Sequence, residues 1–331
     1  MKALLAAWGL HLDFAPDVAG GALFPYLEGM ANQGFGMALG KGGAATMIDA
    51  LLAMVEAHGG VVECGVPVQQ IETTGNKATG VVLADGRRIE ARRAVIGGIA
   101  PRALQTLLPA GSGNNQFDRK MREFRYAPGT MMVHLALDDL PNWAEPELRR
   151  FAYVHIAPSL DAIARTYQEA VAGLLPAEPV IVLGQPTTVD TTRAPNGKHV
   201  LWMQVRMVPA EIKGDARGEI TSRDWNEVRD LYADRALGIA ERYAPGLSDR
   251  ILARHVVSPL DLERDNPNLV GGDQICGSHH ISQNFLFRPV SGHADWSTPL
   301  KNLHLTGAAT WPGAGVGAGS GFMLAQQLAG K

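Results

Sequence analysis

Few residues of this chain sit in patterns that could carry chemistry by themselves. His279 and His280 are adjacent, so on a strand they would point to opposite faces. Neither an H-x-x-x-H helix nor a carboxylate cluster accompanies them, and metal ligation is not expected. His134 and His155 alternate with apolar residues in stretches that read as strands. Each is either a satisfied sheet histidine or a general base, and the former is the plainer reading. Ser320 lies between two glycines, but position 318 is Ala318, so the G-x-S-x-G elbow of a nucleophilic hydrolase is absent. Gly40-Lys41-Gly42 lacks the frame of a P-loop. Cys64 and Cys276 give no disulfide framework and no zinc pattern, which makes a reducing compartment the default.

What the chain offers instead is bare backbone. Leu303, Leu305 and Thr306 read as a short buried strand, a glycine-rich run follows, and Phe322 to Leu328 reads as a helix with Phe322, Ala325 and Leu328 at helical spacing. Strand, glycine loop and helix N-terminus together present N–H groups and a positive dipole end to a flat or anionic ligand. The plain alternative is a connecting loop. Gly313, Gly315 and Ala318 also fit G-x-G-x-x-A. That fingerprint needs a helix leading into a second parallel strand and an acidic residue about twenty positions on. With Lys331 as the last residue, no NAD-binding unit is expected to start here. In the absence of a nucleophile, a metal site or an acid–base pair, the pattern points to a cofactor that carries the chemistry.

The elements that must position this loop are legible in part. The 331 residues suit one large or two ordinary domains, and an apolar share of 46% supplies a sizeable core. A net charge of −3 gives no sign of a nucleic-acid partner. Residues 1–10 read as an ordinary helix rather than a signal peptide, and no run of about eighteen apolar residues exists to span a membrane. Glycines and prolines punctuate residues 11–40 too densely for a long element. Met47 to His58 reads as a helix stopped by Gly59-Gly60, and Val61 to Cys64 as a strand. Asp85-Gly86 marks a hairpin, and Ala94-Val95-Ile96 reads as a buried parallel strand, with Pro101 opening a helix through Leu108. Further on, strands are expected at 130–137, 151–156, 180–183, 199–208 and 251–257. A helix capped by Ser159 should run to Leu175, and another from Ser222 to Tyr243 should turn Trp225, Val228, Leu231, Leu237 and Ala240 inward.

Three segments, in this order and spacing, resemble a known family. The first runs from Gly42-Gly43 through Val66-Pro67-Val68-Gln69-Gln70-Ile71 and Gly80-Val81-Val82-Leu83-Ala84-Asp85-Gly86 to Ala94-Val95-Ile96. The second comprises Pro186-Thr187-Thr188-Val189-Asp190 and Ala194 to His199. The third comprises Asn266 to Asp273, Arg288-Pro289 and Leu303 to Val316. Together they resemble FAD-dependent oxidoreductases of the phytoene desaturase and carotenoid isomerase type, nearest the branch of the pyridine nucleotide-disulphide oxidoreductase domain proteins. The resemblance implies an α/β fold with an α+β substrate part: an FAD-binding Rossmann-like domain with an inserted mixed-sheet substrate domain. Residues 1–40 would be a substrate or cap region, 41–110 and 296–331 the two FAD-domain segments, and 111–295 the substrate domain. The implied cofactor is FAD. Val68 would meet the adenine through its backbone, and Gly307, Ala308, Trp311, Pro312, Gly313, Gly315 and Val316 would line the phosphates and the ring. No catalytic side chain is implied.

The departures set further expectations. No G-x-G-x-x-G precedes residue 40, Gly97-Gly98-Ile99 stands where Ser-Asn-Ala is frequent, and Ala314 interrupts the usual Pro-Gly-Gly-Gly. The dinucleotide-binding half of the family domain is thus expected to be missing, leaving unpaired strand edges, so that the chain alone binds FAD weakly or not at all and associates. The implied substrate is apolar, isoprenoid or lipid-like. The expected location is cytoplasmic, with room for a peripheral membrane contact and for a partner chain carrying the missing half. The alternative reading is a non-catalytic chain that binds a hydrophobic ligand, or one half of a split flavoprotein.

Overall fold

Alternating side chains dictate the larger sheet of the chain. In Gly129–Leu137 every second residue is apolar, and Met131, Val133, Leu135 and Leu137 are all buried on one face. A computed structural model describes residues 2–109, 115–315 and 317–330 and divides the chain into two units, Met1–Val62 with Pro128–Arg264 and Glu63–Ala127 with Asp265–Lys331. The boundaries by contact therefore fall after residues 62, 127 and 264, beside those at 40, 110 and 295 expected from the chain.

The first unit is built on five antiparallel strands in the order Ile251–Val257, Gly129–Leu137, His199–Val208, Val180–Gly184, Tyr153–Ile156. The only parallel pairing beside them is the short Leu174–Leu175 with Gly214–Asp215, so the expected mixed character is confined to that side pair among the described residues. Val133, Met203, Leu183 and Val154 lie in register across four strands and pack against Trp225–Glu241. That helix is capped by Asp224, which accepts from the Asn226 amide at 2.9 Å. Its buried stripe contains Tyr232, Ala236 and Ile239, whereas Leu231, expected inside, is 54% exposed. The opposite sheet face carries the row His255, His134, Trp202, Gly184, Tyr153. Over the end of that face pack Lys2–Gly9 and Leu160–Val171, the latter capped by Ser159 as expected but ending four residues before Leu175.

Two expectations for the first sixty-odd residues are corrected. Leu23–Phe35 is a helix rather than loop. Pro25 lies in its first turn, where no intrahelical donor is lost, and Gly29 and Gly34 are tolerated inside at about 1 kcal/mol each. Val61 to Cys64 form no strand among the described residues, and Val61 is 91% exposed. Ala45–Ala57 is helical as expected, with no buried residue.

In the second unit Val68–Thr74, Lys77–Leu83 and Arg88–Glu90 form an antiparallel sheet, turning through Gly86 at φ +87°. Val95–Gly97 pairs in parallel with Leu303–Leu305. Leu303, Leu305, Ile71, Leu104, Phe117 and Met121 share one core with Val290 and Leu300. The expected full burial of the 95–97 strand is not met, since Ile96 is 49% exposed. Gly319–Leu328 is the last helix. Its buried residues are Ser320 and Leu324, four apart, while Phe322, one of the residues at helical spacing, is 61% exposed. Among the described residues no helix is long and apolar enough to cross a membrane.

Candidate functional site

The carboxyl ends of Val95–Gly97 and Leu303–Leu305 lie side by side and open onto Gly98 and Gly307, both exposed. A Cβ added at Gly98 would meet nothing within 4 Å, and one at Gly307 would meet only the Gly98 Cα, at 4.0 Å. Gly307 has φ +99°, Gly313 φ +103° and Gly315 φ +155°, conformations that favour glycine. The loop therefore closes into a tight coil: the Thr310 amide donates to the Gly307 carbonyl at 3.1 Å and the Gly313 amide to that of Thr310 at 2.7 Å. Ser320, buried at the start of the following helix, draws the loop's entry towards the helix. Its Oγ accepts from the Gly307 amide at 3.2 Å and bonds the Thr306 and Thr310 hydroxyls at 3.0 and 2.6 Å. The helix N-terminus has no side-chain cap, Ala318 standing there at φ +50°.

Of the expected site residues, Gly307, Ala308, Trp311, Pro312, Gly313 and Gly315 come together in this coil, and Val316 lies outside the described residues. Trp311 is half-buried, its carbonyl accepting from Trp296 Nε1 at 3.0 Å and its ring meeting Phe285 at 5.0 Å. These rings, with Phe287, line an apolar groove of about 970 Å³. Val68 is not part of this coil but opens the first strand of the hairpin. The hairpin's other end reaches the loop's strand, with the Ala78 amide donating to Lys301 O at 2.9 Å, and Val68 begins the strand seven residues long that leads there, about 20 Å at strand rise.

The residues that hold the loop were missed by sequence reasoning. Arg288 is wholly buried and directs its guanidinium at backbone carbonyls: Ser278 at 2.9 Å, Cys276 at 3.2 Å, Gly277 at 3.3 Å and Ala308 at 2.6 Å. Burial lowers its pKa to about 10. His279 is not on a strand but in an irregular stretch, where the buried ring accepts through Nε2 from the Ala314 amide at 2.9 Å. Burial, then the Arg288 charge, push its pKa down to about 3, against the pull of the Gly277 carbonyl. The tandem histidine and Arg288-Pro289 were the available signals, and neither reveals burial. Cys276 is buried, and burial, then the Asp273 charge, push its thiol up to about 12. No metal-ligating cluster occurs among the described residues.

In the first unit, a cavity of about 710 Å³ is lined by Trp8, Met37, Leu39, Phe151, Tyr153 and Val189, with His155 at its wall. His155 and His11 meet through their Nε2 atoms at 3.4 Å, and both rings lie against Trp8, at centroid distances of 5.1 and 5.4 Å. Burial, then Arg206, push His11 down to about 3 and His155 to about 4. His134 stands instead on the exposed part of the sheet, opposite His255.

In a mixed α/β chain, the crevice at the carboxyl ends of parallel strands is where ligands commonly bind, and the glycine coil opens there. The chain is a member of the flavin containing amine oxidoreductase family, whose profile matches residues 2–242. It is 29% identical over 289 residues to the pyridine nucleotide-disulfide oxidoreductase domain-containing protein 2 of Rattus norvegicus, covering 83% of this chain and 48% of that one. It is 24% identical over 307 residues to a phytoene desaturase (lycopene-forming) of Paracoccus sp., covering 89% and 55%. The chain thus spans about half the length of the curated relatives it matches. Its fold is similar to that of an oxidoreductase from Methanosarcina mazei, with a TM-score of 0.63 at 16% identity over all of this chain and 64% of that one.

Proposed function

We propose that this chain carries the flavin-facing part of an FAD-dependent oxidoreductase acting on an apolar, isoprenoid- or lipid-like substrate, as a desaturase, dehydrogenase or isomerase. The observation that carries this reading is the glycine coil at Gly307–Gly315, open at the carboxyl ends of two parallel strands. FAD, when bound, supplies a two-electron acceptor for hydride from a C–H bond. The chain's own part is to hold and orient. The exposed backbone at Gly315, Gly317 and Ala318 and the uncapped helix end favour an electron-rich edge by roughly 0.3–1 kcal/mol. Trp311 and Phe285 present an apolar wall. The Val68 backbone is assigned to the adenine by the family resemblance alone. No side chain is assigned a catalytic role.

Two features support the apolar substrate: the likeness to phytoene desaturases and the aromatic side, Trp8, Phe151 and Tyr153, of a cavity whose other side carries Lys41, Arg150 and Asp190. The exposed Leu23, Leu27 and Met30 of Leu23–Phe35 suit a peripheral contact with a lipid surface. A second reading, one half of a split flavoprotein or a hydrophobic-ligand carrier, draws on the half-exposed Ile96 edge.

Titration with FAD, followed by flavin fluorescence and absorbance, tests the proposal. Weak, saturable binding is expected, reduced at least about tenfold, or 1.4 kcal/mol, by Gly307→Val or Gly315→Val. Binding that ignores both substitutions would remove the loop from the site. Absence of FAD binding beside uptake of an apolar fluorophore would favour the carrier.

A further inference from the structure

We infer that His279 is the positioning residue of the glycine loop: its ring acceptor holds the Ala314 amide, and so determines which loop N–H groups face a ligand. The inference rests on the flavin reading only for the identity of that ligand. Its geometric basis is a clamp on both ends of the loop from one short segment. At the entry, Arg288 bonds the Ala308 carbonyl through Nε at 3.1 Å and a terminal nitrogen at 2.6 Å. The same guanidinium bonds the carbonyls of Cys276, Gly277 and Ser278, which tie it to the backbone leading into His279. At the exit, His279 Nε2 accepts from the Ala314 amide at 2.9 Å. Between them Gly313 has no room for a side chain, since its Cβ would stand 2.3 Å from His279 Nε2 and 3.5 Å from Arg288 Nε.

The segment is itself rigidly held. Asp273 accepts from the amides of Ala127 at 2.9 Å, Ile275 at 2.9 Å and Gly277 at 2.7 Å. Gln283 donates to the carbonyls of Arg125 at 2.8 Å and Ser278 at 3.0 Å. The clamp needs an unprotonated Nε2, and burial beside Arg288 keeps the ring neutral. It also has a consequence for binding. With the Ala314 amide engaged by His279 and the Gly307 amide by Ser320, those two donors are turned away from a ligand. The exposed backbone beyond them, at Gly315 and Gly317, is left to meet it.

Peptide-resolved amide hydrogen exchange across Gly307–Phe322, with FAD titration alongside, tests the inference on the whole chain. His279→Leu removes the acceptor, and His279→Asn keeps a polar group too short to reach Ala314. His279→Gln restores an acceptor near the position of Nε2. The Leu and Asn variants are expected to speed exchange in this peptide by about tenfold, the scale of one buried hydrogen bond, with distant peptides unchanged, and to weaken FAD binding similarly. The Gln variant is expected to stay within about threefold of the wild type in both. Should His279→Leu loosen every peptide, the Asn and Gln pair decides. Unchanged loop exchange in both Leu and Asn variants, or a Gln variant no better than Asn, would overturn the inference. If the wild-type chain binds no FAD, the exchange comparison alone decides the role of His279.

Discussion

Three histidines, His11, His155 and His279, are held neutral by burial and by a neighbouring arginine, with pKa values pushed from 6.5 to about 3, 4 and 3. His11 and His155 share one contact. Because their folded pKa values are depressed, the unfolded chain binds more protons between about 6.5 and these values. Their stabilisation is complete above about pH 6.5 and is lost as pH falls, at up to about 1.4 kcal/mol per pH unit for each ring. Urea midpoints measured from pH 8 down to pH 4.5 should therefore decline below about 6.5, and His11→Phe should flatten that decline. A midpoint constant over the range would contradict the burial account. The alternating pattern around His155 was visible in the sequence and predicted a sheet histidine. Its partner was not, because His11 lies 144 residues away.

At the scale of elements, side chains with no role in the site decide whether the scaffold stands. Arg235, on the long helix, is buried against Asp215, which it meets through two bonds of 2.6 and 2.7 Å. Asp215 also accepts from the Glu219 and Ile220 amides, both at 2.9 Å, so it fastens the helix to the chain that leads into it. Asp215→Ala would leave a buried guanidinium short of its main partner and cost about 3–5 kcal/mol. By contrast, breaking the exposed pair between Asp234 on the same helix and Arg254 on the strand Ile251–Val257 should cost under about 1 kcal/mol. Equal urea midpoints for the two variants would refute this ranking. Asp215 gave no sequence signal beyond a charged residue in a polar stretch. The helix it anchors was legible from spacing, but its phase was not: a period of 3.6 leaves the edges of a stripe ambiguous, and Leu231 fell on the solvent side.

At the scale of the whole molecule, apolar surface is left open in both units. Ala45–Ala57 has no buried residue, and its Met47, Ile48, Leu51 and Met54 are all about half exposed or more. In the other unit the Ile96 strand presents a half-exposed edge. Surfaces of this kind pair with other chains. The purified chain is expected to associate as its concentration rises, as followed by sedimentation velocity, and Met54→Lys with Ile96→Lys should shift it towards monomer. A yellow, monomeric protein that unfolds in one cooperative step would sink this expectation.

The local pieces were legible along the chain: the Asp85-Gly86 turn, the Ser159 cap, the alternation of 130–137, and a glycine loop between a strand and a helix. Each depends on dihedral preference or hydrogen bonding within a few residues, which neighbouring side chains dictate. Only the tertiary structure decided what holds that loop. His279 reaches Ala314 across 35 positions and Arg288 reaches Ala308 across 20, contacts that no local pattern encodes. Burial converted a tandem of polar residues into a neutral acceptor, and a lone arginine into a clamp on backbone carbonyls. Desolvation is a property of the packed surroundings, so it enters only when distant segments meet.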